Sequence, residues 1–144
     1  MKIDIAPVII RFDPPTSTTK QNDLNLYELV VIDFEANDVI EVGISWNDGT
    51  AFETAVGQID NDAFVRNVPH RTPKPGIYNH TIVAKDSKGL EFVYHFAMEV
   101  ENVPPTIGNI TNIKAKENID PPVDISTSIS FTDPGPLDSH KIVI

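Results

Sequence analysis

Four histidines are the side chains in this sequence best suited to bind a metal or to move protons near neutral pH. They are His70, His80, His95 and His140. Zinc requires ligands that converge on one point, and the sequence has neither a His-x-x-x-His nor a His-Glu-x-x-His spacing. In the alternating pattern described below, His80 lies on the apolar face of one strand and His95 on the opposite face of the next. We therefore expect structural histidines, with His70 bracing a proline-rich loop through a backbone carbonyl.

Nucleophilic and acid–base catalysis have little basis in the remaining residues. The sequence has no Gly-x-Ser-x-Gly turn, no cysteine and no glycine-rich phosphate loop. Paired carboxylates act in glycosidases, but such pairs lie in deep clefts, which a β domain of about 100 residues rarely has. We therefore predict that this chain is not an enzyme.

The composition restricts the partners. The chain has 144 residues, with 21 acidic and 11 basic side chains and a formal net charge of −10. This acidity disfavours nucleic acids and anionic lipid surfaces, which attract clustered Lys and Arg. The apolar runs are much shorter than the roughly 20 residues of a membrane-spanning helix. Asp4 and Arg11 interrupt the amino-terminal apolar stretch, so we expect no signal peptide in it and no membrane insertion.

Apolar and polar residues alternate along several segments, as in half-buried β-strands. Val42, Ile44 and Trp46 share one face of such a segment, and the turn residues Asn47-Asp48-Gly49 follow it. The pattern predicts seven strands and a proline-rich loop over 69–76. The strands lie near residues 5–12, 24–34, 39–46, 50–57, 62–67, 76–85 and 90–101. Seven short strands separated by turns predict an all-β fold, a two-sheet antiparallel sandwich.

The sequence repeats itself at an offset of 100 positions. Residues 129–144 match 29–44 in their apolar alternation and in one aspartate, and 103–107 resemble 5–9. This period is typical of tandem sandwich domains. We predict one complete domain over 1–103, followed over 104–144 by a linker and the first strands of a second, truncated repeat. Those strands, if ordered, should pair with the first repeat or with another molecule.

These motifs together resemble the PKD (polycystic kidney disease) repeat family, immunoglobulin-like β-sandwiches of surface and secreted proteins. The Trp-(Gly/Asn)-Asp-Gly-Thr signature of the family is similar to residues 46–50, and its Pro-Gly-x-Tyr … Asp-x-x-Gly run to residues 75–89. Residues 131–140 resemble its first loop and 102–105 its inter-repeat linker. Trp46 would anchor the interface between the sheets, so we interpret the signature as scaffold.

The resemblance also implies a calcium site. Some PKD-like repeats bind calcium through carboxylates of the linker, the first loop and the later Asp-x-x-Gly turn. The matching positions here are Asp4, Glu35, Asn37, Asp38 and Asp86, with Asn102, Asp133 and Asp138 as counterparts in the partial copy. Calcium takes six to eight oxygen ligands, of which these side chains would supply about four. The alternative is that the acidic loops are solvated and keep the molecule soluble.

The leading hypothesis is a non-enzymatic, extracellular or cell-surface module that acts as a spacer or adhesion repeat. Its partners would be neighbouring repeats of the same chain, and another protein or a glycan at the cell surface. One alternative is a carbohydrate-binding accessory module of a secreted hydrolase, which would need exposed aromatic rings. The candidates for those rings are Phe52, Phe64 and Phe92. A second alternative is a linker domain made rigid by calcium.

Overall fold

A computed structural model describes residues 4–14, 16, 18–35, 37–109, 129–141 and 143. Within those residues the secondary structure is entirely β. The strands are β1 (Val8–Asp13), β2 (Thr18–Lys20), β3 (Asn25–Ile32), β4 (Val39–Ser45), β5 (Glu53–Gln58), β6 (Ala63–His70), β7 (Gly76–Lys85), β8 (Glu91–Glu101), β9 (Thr106–Ile107) and β10 (Phe131–Thr132). No described helix could cross a membrane.

Eight of these strands form two sheets. One sheet has three strands in the order β1-β3-β6, and the other has five in the order β2-β8-β7-β4-β5. All pairings within them are antiparallel except that of β2 with β8. The prediction of an all-β, two-sheet sandwich is therefore confirmed.

Apolar side chains from both sheets fill the space between them. Trp46 is 1% exposed at the centre, with its ring centroid 4.9 Å from that of Tyr27 and 5.9 Å from that of Phe12. Burying such large rings removes on the order of 150–250 Å² of each from water. Trp46 is thus part of the scaffold, as its motif predicted.

Two strand predictions were wrong in detail. The short strand β2 was not predicted, because only three residues pair and just the middle one is buried. Pro69 and His70 belong to β6 rather than to a loop, with Pro69 opposite Leu26. Because β6 is at the edge of its sheet, a proline there need not remove a hydrogen bond of the ladder.

The described residues of the predicted second copy pair in the same way as the opening strands of the first repeat. In the first repeat Ile9 lies opposite Val31 on antiparallel strands, and in the second copy Ile107 lies opposite Phe131 in the same way. Among the residues described, β10 pairs with β9 and not with a strand of the first repeat, so the first of the two predicted pairings is wrong there; pairing with another molecule stays a prediction. The predicted pairing of residues 123–128 lies outside the described residues.

Candidate metal centre

The sheet order brings three aspartates together at one end of the sandwich. Asp33 follows β3 in the three-stranded sheet, whereas Asp38 precedes β4 and Asp86 follows β7 in the five-stranded sheet. Since β4 and β7 are antiparallel neighbours, the start of one lies beside the end of the other. One carboxylate oxygen from each residue lies within 4.8 Å of the other two. We call Asp33, Asp38 and Asp86 the aspartate cradle.

Backbone hydrogen bonds fix the orientation of two cradle carboxylates. Oδ1 of Asp33 accepts the backbone N–H of Glu35 at 2.9 Å. Oδ1 of Asp86 accepts the backbone N–H groups of Lys88 at 2.9 Å and of Leu90 at 2.8 Å. Such bonds to residues a short distance ahead are typical of aspartate in tight turns. Each carboxylate is therefore held by its Oδ1 before any ligand arrives.

The third cradle carboxylate is held in the same way. Oδ1 of Asp38 accepts the backbone N–H of Val39 at 2.8 Å and the hydroxyl of Ser87. The carbonyl of Asp38 accepts the backbone N–H of Ile59 at 2.9 Å, which holds the β3–β4 loop against the β5–β6 connection. Ser87 follows Asp86 directly, so this hydroxyl links the two loops of the five-stranded sheet.

The second oxygen of every cradle carboxylate is buried and has no hydrogen-bond partner among the described residues. These atoms are Oδ2 of Asp33, Oδ2 of Asp38 and Oδ2 of Asp86. Asp33 is only 4% exposed and Asp86 only 5%. Buried polar atoms almost always have a partner, and a buried unpaired charge is costly. A cation is one partner that would satisfy such carboxylate oxygens.

The pKa of Asp33 reflects this crowding. Burial raises the pKa of its carboxyl above the ordinary value, and the negative charges of Asp38 and Asp86 raise it further, although the N–H of Glu35 opposes the change. A bound cation has the opposite effect on such a group, since it favours the ionised form. The electrostatics of the cradle therefore fit a cation site.

An ammonium group lies beside the cradle. Nζ of Lys88 donates to Oδ1 of Asp4 at 2.9 Å and to Oε2 of Glu35. Hydrogen bonds to these two carboxylates hold the pKa of Lys88 well above its usual range. Asp4 and Glu35, both predicted as metal ligands, are thus bound to a cation supplied by the chain itself.

The five predicted ligand positions divide into three groups. Asp38 and Asp86 belong to the cradle, and Asp4 and Glu35 contact Lys88. Asn37 is an exposed loop residue with a φ of 67°, a conformation that asparagine tolerates.

Asp33 was missed as a candidate ligand. The alternating pattern placed it inside a predicted strand over 24–34, whereas β3 ends at Ile32 and Asp33 begins the loop. The sequence repeat held the signal, because Asp33 and Asp133 are the matching aspartates of the two copies.

The counterparts in the second copy have different partners. Oδ1 of Asp133 accepts the backbone N–H of Gly135 at 2.6 Å, which reproduces the turn of the first copy. Its Oδ2, however, contacts Nε2 of His140 at 2.8 Å, and Oδ1 of Asp138 accepts Nε2 of Gln21 at 2.9 Å. Oδ2 of Asp133 therefore has a protein partner, whereas Oδ2 of its counterpart Asp33 has none among the described residues.

Asn102, the remaining counterpart, is exposed. It lies just after β8 and before the linker prolines. Among the described residues, no hydrogen bond joins its side chain to a carboxylate.

The opposite end of the sandwich has a buried aspartate of another kind. Oδ2 of Asp48 lies 2.7 Å from Nε2 of His70, and Oδ1 accepts both the backbone N–H of Thr50 at 3.0 Å and its hydroxyl at 2.6 Å. Burial alone would raise the pKa of Asp48, but the bonds from Thr50 and His70 outweigh burial and lower it. The prediction that His70 would bond a backbone carbonyl was wrong, because Nε2 of His70 contacts the carboxylate of Asp48 instead.

The other histidines fit their structural interpretation. His80 is fully buried, and its Nδ1 lies 2.7 Å from the carbonyl of Trp46. Since a carbonyl can only accept, Nδ1 carries the hydrogen. His95 is exposed, with Nδ1 at 3.3 Å from the hydroxyl of Thr81.

The aromatic rings proposed for glycan binding do not share one exposed face. Phe64 is 9% exposed and packs over Gly57, and Phe92 packs against the core. Phe52 is 62% exposed and lies over Gly43 on the outer face of the five-stranded sheet. Of the three candidates, only Phe52 offers a ring to solvent.

Known structures share this architecture. The chain is similar to the PKD domain of an M14-like peptidase from a Thermoplasmatales archaeon, with 20% identity and a TM-score of 0.52, over 68% of this chain and 98% of that one. The fold is that of a PKD-like domain. The PKD-like module is also similar to a CARDB domain from Pyrococcus furiosus, solved in complex with di-metal ions, with 16% identity and a TM-score of 0.55, over 69% and 97% of the two chains.

Comparisons of the amino-acid sequence found no relative of this chain. No protein-family model matches it, and no curated protein does. The likeness to the two solved structures therefore establishes the fold and leaves the function to the chemistry of this chain's residues.

Proposed function

We propose that this PKD-like module is a non-enzymatic, calcium-stabilised spacer repeat of a surface or secreted protein. The observation that carries the proposal is twofold: carboxylate oxygens of Asp33, Asp38 and Asp86 lie within 4.8 Å of one another, and each of these residues has a buried Oδ2 without a hydrogen-bond partner among the described residues. The non-enzymatic part rests on the likeness to PKD and CARDB domains and on the absence of a nucleophile motif in the sequence.

The donor set favours calcium among common metals. All three cradle ligands are carboxylate oxygens, and hard cations such as calcium and magnesium prefer oxygen, whereas zinc and copper favour imidazole or thiolate. The cradle ligands come from two loops, Asp33 and Asp38 from the β3–β4 connection and Asp86 from the β7–β8 connection, which suits the irregular geometry that calcium accepts and magnesium does not. The CARDB domain described with di-metal ions supports a metal role for a domain of similar fold.

The cradle would stabilise the sandwich by joining its two sheets. Asp33 extends from β3 of one sheet, and Asp38 and Asp86 flank strands of the other. A calcium ion shared by them would neutralise the carboxylates and link the two sheets, which share no strand pairing among the described residues. Stiffness at this end would suit a module whose task is to hold its neighbours apart.

The opposite end supports a spacer role through its contact with the second copy. Gln21 is fully buried, and its Nε2 donates to the carbonyl of Pro73 at 3.0 Å and to Oδ1 of Asp138 at 2.9 Å. Gly135 is buried against Gln21 with no space for a side chain, since an added Cβ would lie 2.4 Å from Nε2 of Gln21. Neighbouring repeats would thus pack at a defined joint, and the prolines of the linker limit bending.

Thermal unfolding with calcium and with a chelator tests the proposal. We expect calcium at about 100 times its Kd to stabilise the full chain by about 2.7 kcal/mol and to raise the Tm by about 5–10 °C. Asp38→Asn should lose most of that increase, because the uncharged amide keeps the loop hydrogen bonds but is a weaker ligand.

The matched control is Asp60→Asn, which removes an exposed aspartate from the tight turn before β6. This variant carries the same change in charge and should keep the full calcium response. An unchanged Tm of the native protein with calcium and with chelator would refute the calcium role.

A further inference from the structure

We propose that the end of the module around Gln21 is a docking site selective for one kind of neighbouring repeat, one whose first loop has glycine at the position of Gly135. The inference rests on the spacer part of the proposed function and adds what the joint recognises. Its starting observation is that Gln21 is fully buried and contacts Asp138, which is 117 residues away in the sequence. We call residues 133–138 the docking loop.

Gln21 is held in place by its own repeat. Its backbone N–H donates to the carbonyl of Glu101 at 2.9 Å, and its Nε2 donates to the carbonyl of Pro73 at 3.0 Å. Glu101 is the last residue of β8, after which the chain enters the linker. The Gln21 amide is therefore fixed where the first repeat meets the second copy.

The two acceptors determine how the amide of Gln21 is oriented. A carbonyl and an ionised carboxylate can only accept, so the amide nitrogen with its two hydrogens faces them. One hydrogen is donated to Pro73 of the first repeat and the other to Oδ1 of Asp138 in the docking loop, at 2.9 Å. Hydrogen bonds to a carboxylate are stronger than those between neutral groups. Gln21 therefore favours a loop with a carboxylate at the position of Asp138.

Gly135 gives the docking loop a steric requirement. A Cβ added there would lie 2.4 Å from Nε2 and 2.7 Å from Cδ of Gln21, and 2.4 Å from Oδ2 of Asp138. Gln21 cannot move aside without losing its bond to Pro73. The backbone of Gly135 does not itself need glycine, because Gly135 is not among the glycines with a positive φ. Its contacts with Gln21 and Asp138 are thus what require a residue without a side chain.

The first loop of the module itself does not meet this requirement. Asp33 and Asp133 each accept the backbone N–H two residues ahead, at 2.9 and 2.6 Å, so the two loops begin with the same turn. At the offset of 100 positions, Glu35 stands where the second copy has Gly135. A glutamate side chain there would enter the space that Gln21 occupies. One module therefore cannot dock through its first loop on the Gln21 end of another.

Hydrogen exchange of the Gln21 side-chain amide, followed by NMR on the full chain, tests the proposal. We expect its Nε2 hydrogens to exchange at least about ten-fold more slowly than those of the exposed Gln58. Gly135→Glu introduces the residue of the first loop, and Asp138→Ala removes the acceptor, so each should lose most of this protection. The control is Pro136→Ala, at an exposed position of the docking loop, which should keep it.

Backbone amides of β4 should stay protected in every variant, because the substitutions lie outside the sandwich. Slow exchange that persists in Gly135→Glu would overturn the selectivity for glycine and leave the spacer role standing. Loss of protection in Pro136→Ala as well would overturn the assignment of that selectivity to Gly135 and Asp138. If Gln21 exchanged as fast as Gln58 in the native protein, the joint and the spacer role would fail together, and the calcium site would stand.

Discussion

The two ends of the sandwich each contain a buried aspartate, and these two aspartates differ in their hydrogen-bond partners. At one end Asp48, which follows β4, contacts His70 of β6 and so joins the two sheets, whereas at the other end Asp33, which follows β3, lies close to two further carboxylates, those of Asp38 and Asp86. At the first end, both carboxylate oxygens have donors from the protein. At the second, one oxygen of each aspartate has none among the described residues.

The difference in partners appears in the electrostatics. The pKa of Asp48 is lowered, since its hydrogen bonds outweigh burial, and the pKa of Asp33 is raised, since burial is reinforced by neighbouring negative charge. A buried carboxylate with a full set of donors stabilises the fold by itself. A buried carboxylate without one is an unsatisfied group that a cation can satisfy. Residue type and burial alone therefore do not distinguish a structural aspartate from a ligand.

The largest loss of stability should come from a substitution at Asp48, whose carboxylate has hydrogen-bond donors for both oxygens. Asp48→Ala removes the acceptor of both Thr50 donors and the carboxylate partner of His70, and leaves the buried ring of His70 without that contact. We expect the free energy of unfolding to fall by about 3 kcal/mol, in calcium and in chelator alike. Urea unfolding measures the change. A loss below about 1 kcal/mol would show that this end does not depend on its carboxylate.

A substitution in the aspartate cradle should have a smaller effect on stability, and this effect should differ between chelator and calcium. Because the folded-state pKa of Asp33 is raised, its ionised form destabilises the metal-free fold at neutral pH. Asp33→Asn removes that charge and keeps an acceptor for the N–H of Glu35. In chelator, we expect this variant to be at least as stable as the native protein. In calcium at roughly thirty times the native Kd, it should be less stable by about 2 kcal/mol.

Asp48→Asn is the comparison that completes this test. It makes the same chemical change at the opposite end, where the carboxylate lies 2.7 Å from Nε2 of His70 and accepts two hydrogen bonds from Thr50. It should destabilise the protein under both conditions. If Asp33→Asn also lowered the stability in chelator, the two ends would not differ in the way described.

The sequence alone predicted the scaffold well because the scaffold depends on local patterns. Alternation located β4, β7 and β8 within one or two residues, and the burial of Trp46 followed from its place on a central strand. The site depends on which strands become neighbours, and alternation carries no such information. Asp33 and Asp86 are 53 residues apart, and only the facing of two sheets brings their carboxylates together.

The hydrogen-bond and ion-pair partners of the polar side chains also could not be predicted from the sequence pattern. Nothing in the spacing of Asp4, Glu35 and Lys88 marks them as a cluster, since each lies in a different loop or terminal segment. The same holds for His70, whose contact with Asp48 depends on Pro69 and His70 extending β6 rather than forming a loop. Sequence reasoning found the acidic loops, and the packing decided which acids remain without a donor.

The smallest expected effect is the pH dependence of stability that His80 causes. Burial lowers the pKa of His80 below its ordinary value of 6.5, and the nearby His70 lowers it further, against the opposing bond to the carbonyl of Trp46. The unfolded chain therefore takes up this proton at a higher pH than the folded one, and stability is lost as the pH falls from about 6.5 toward the folded-state pKa. Urea unfolding in chelator between pH 7.5 and 5.5 should show this decline. His80→Gln, whose amide can donate to the same carbonyl, should flatten it, whereas His95→Gln at an exposed position should not. Equal slopes in the native protein and His80→Gln would assign the pH response to another group.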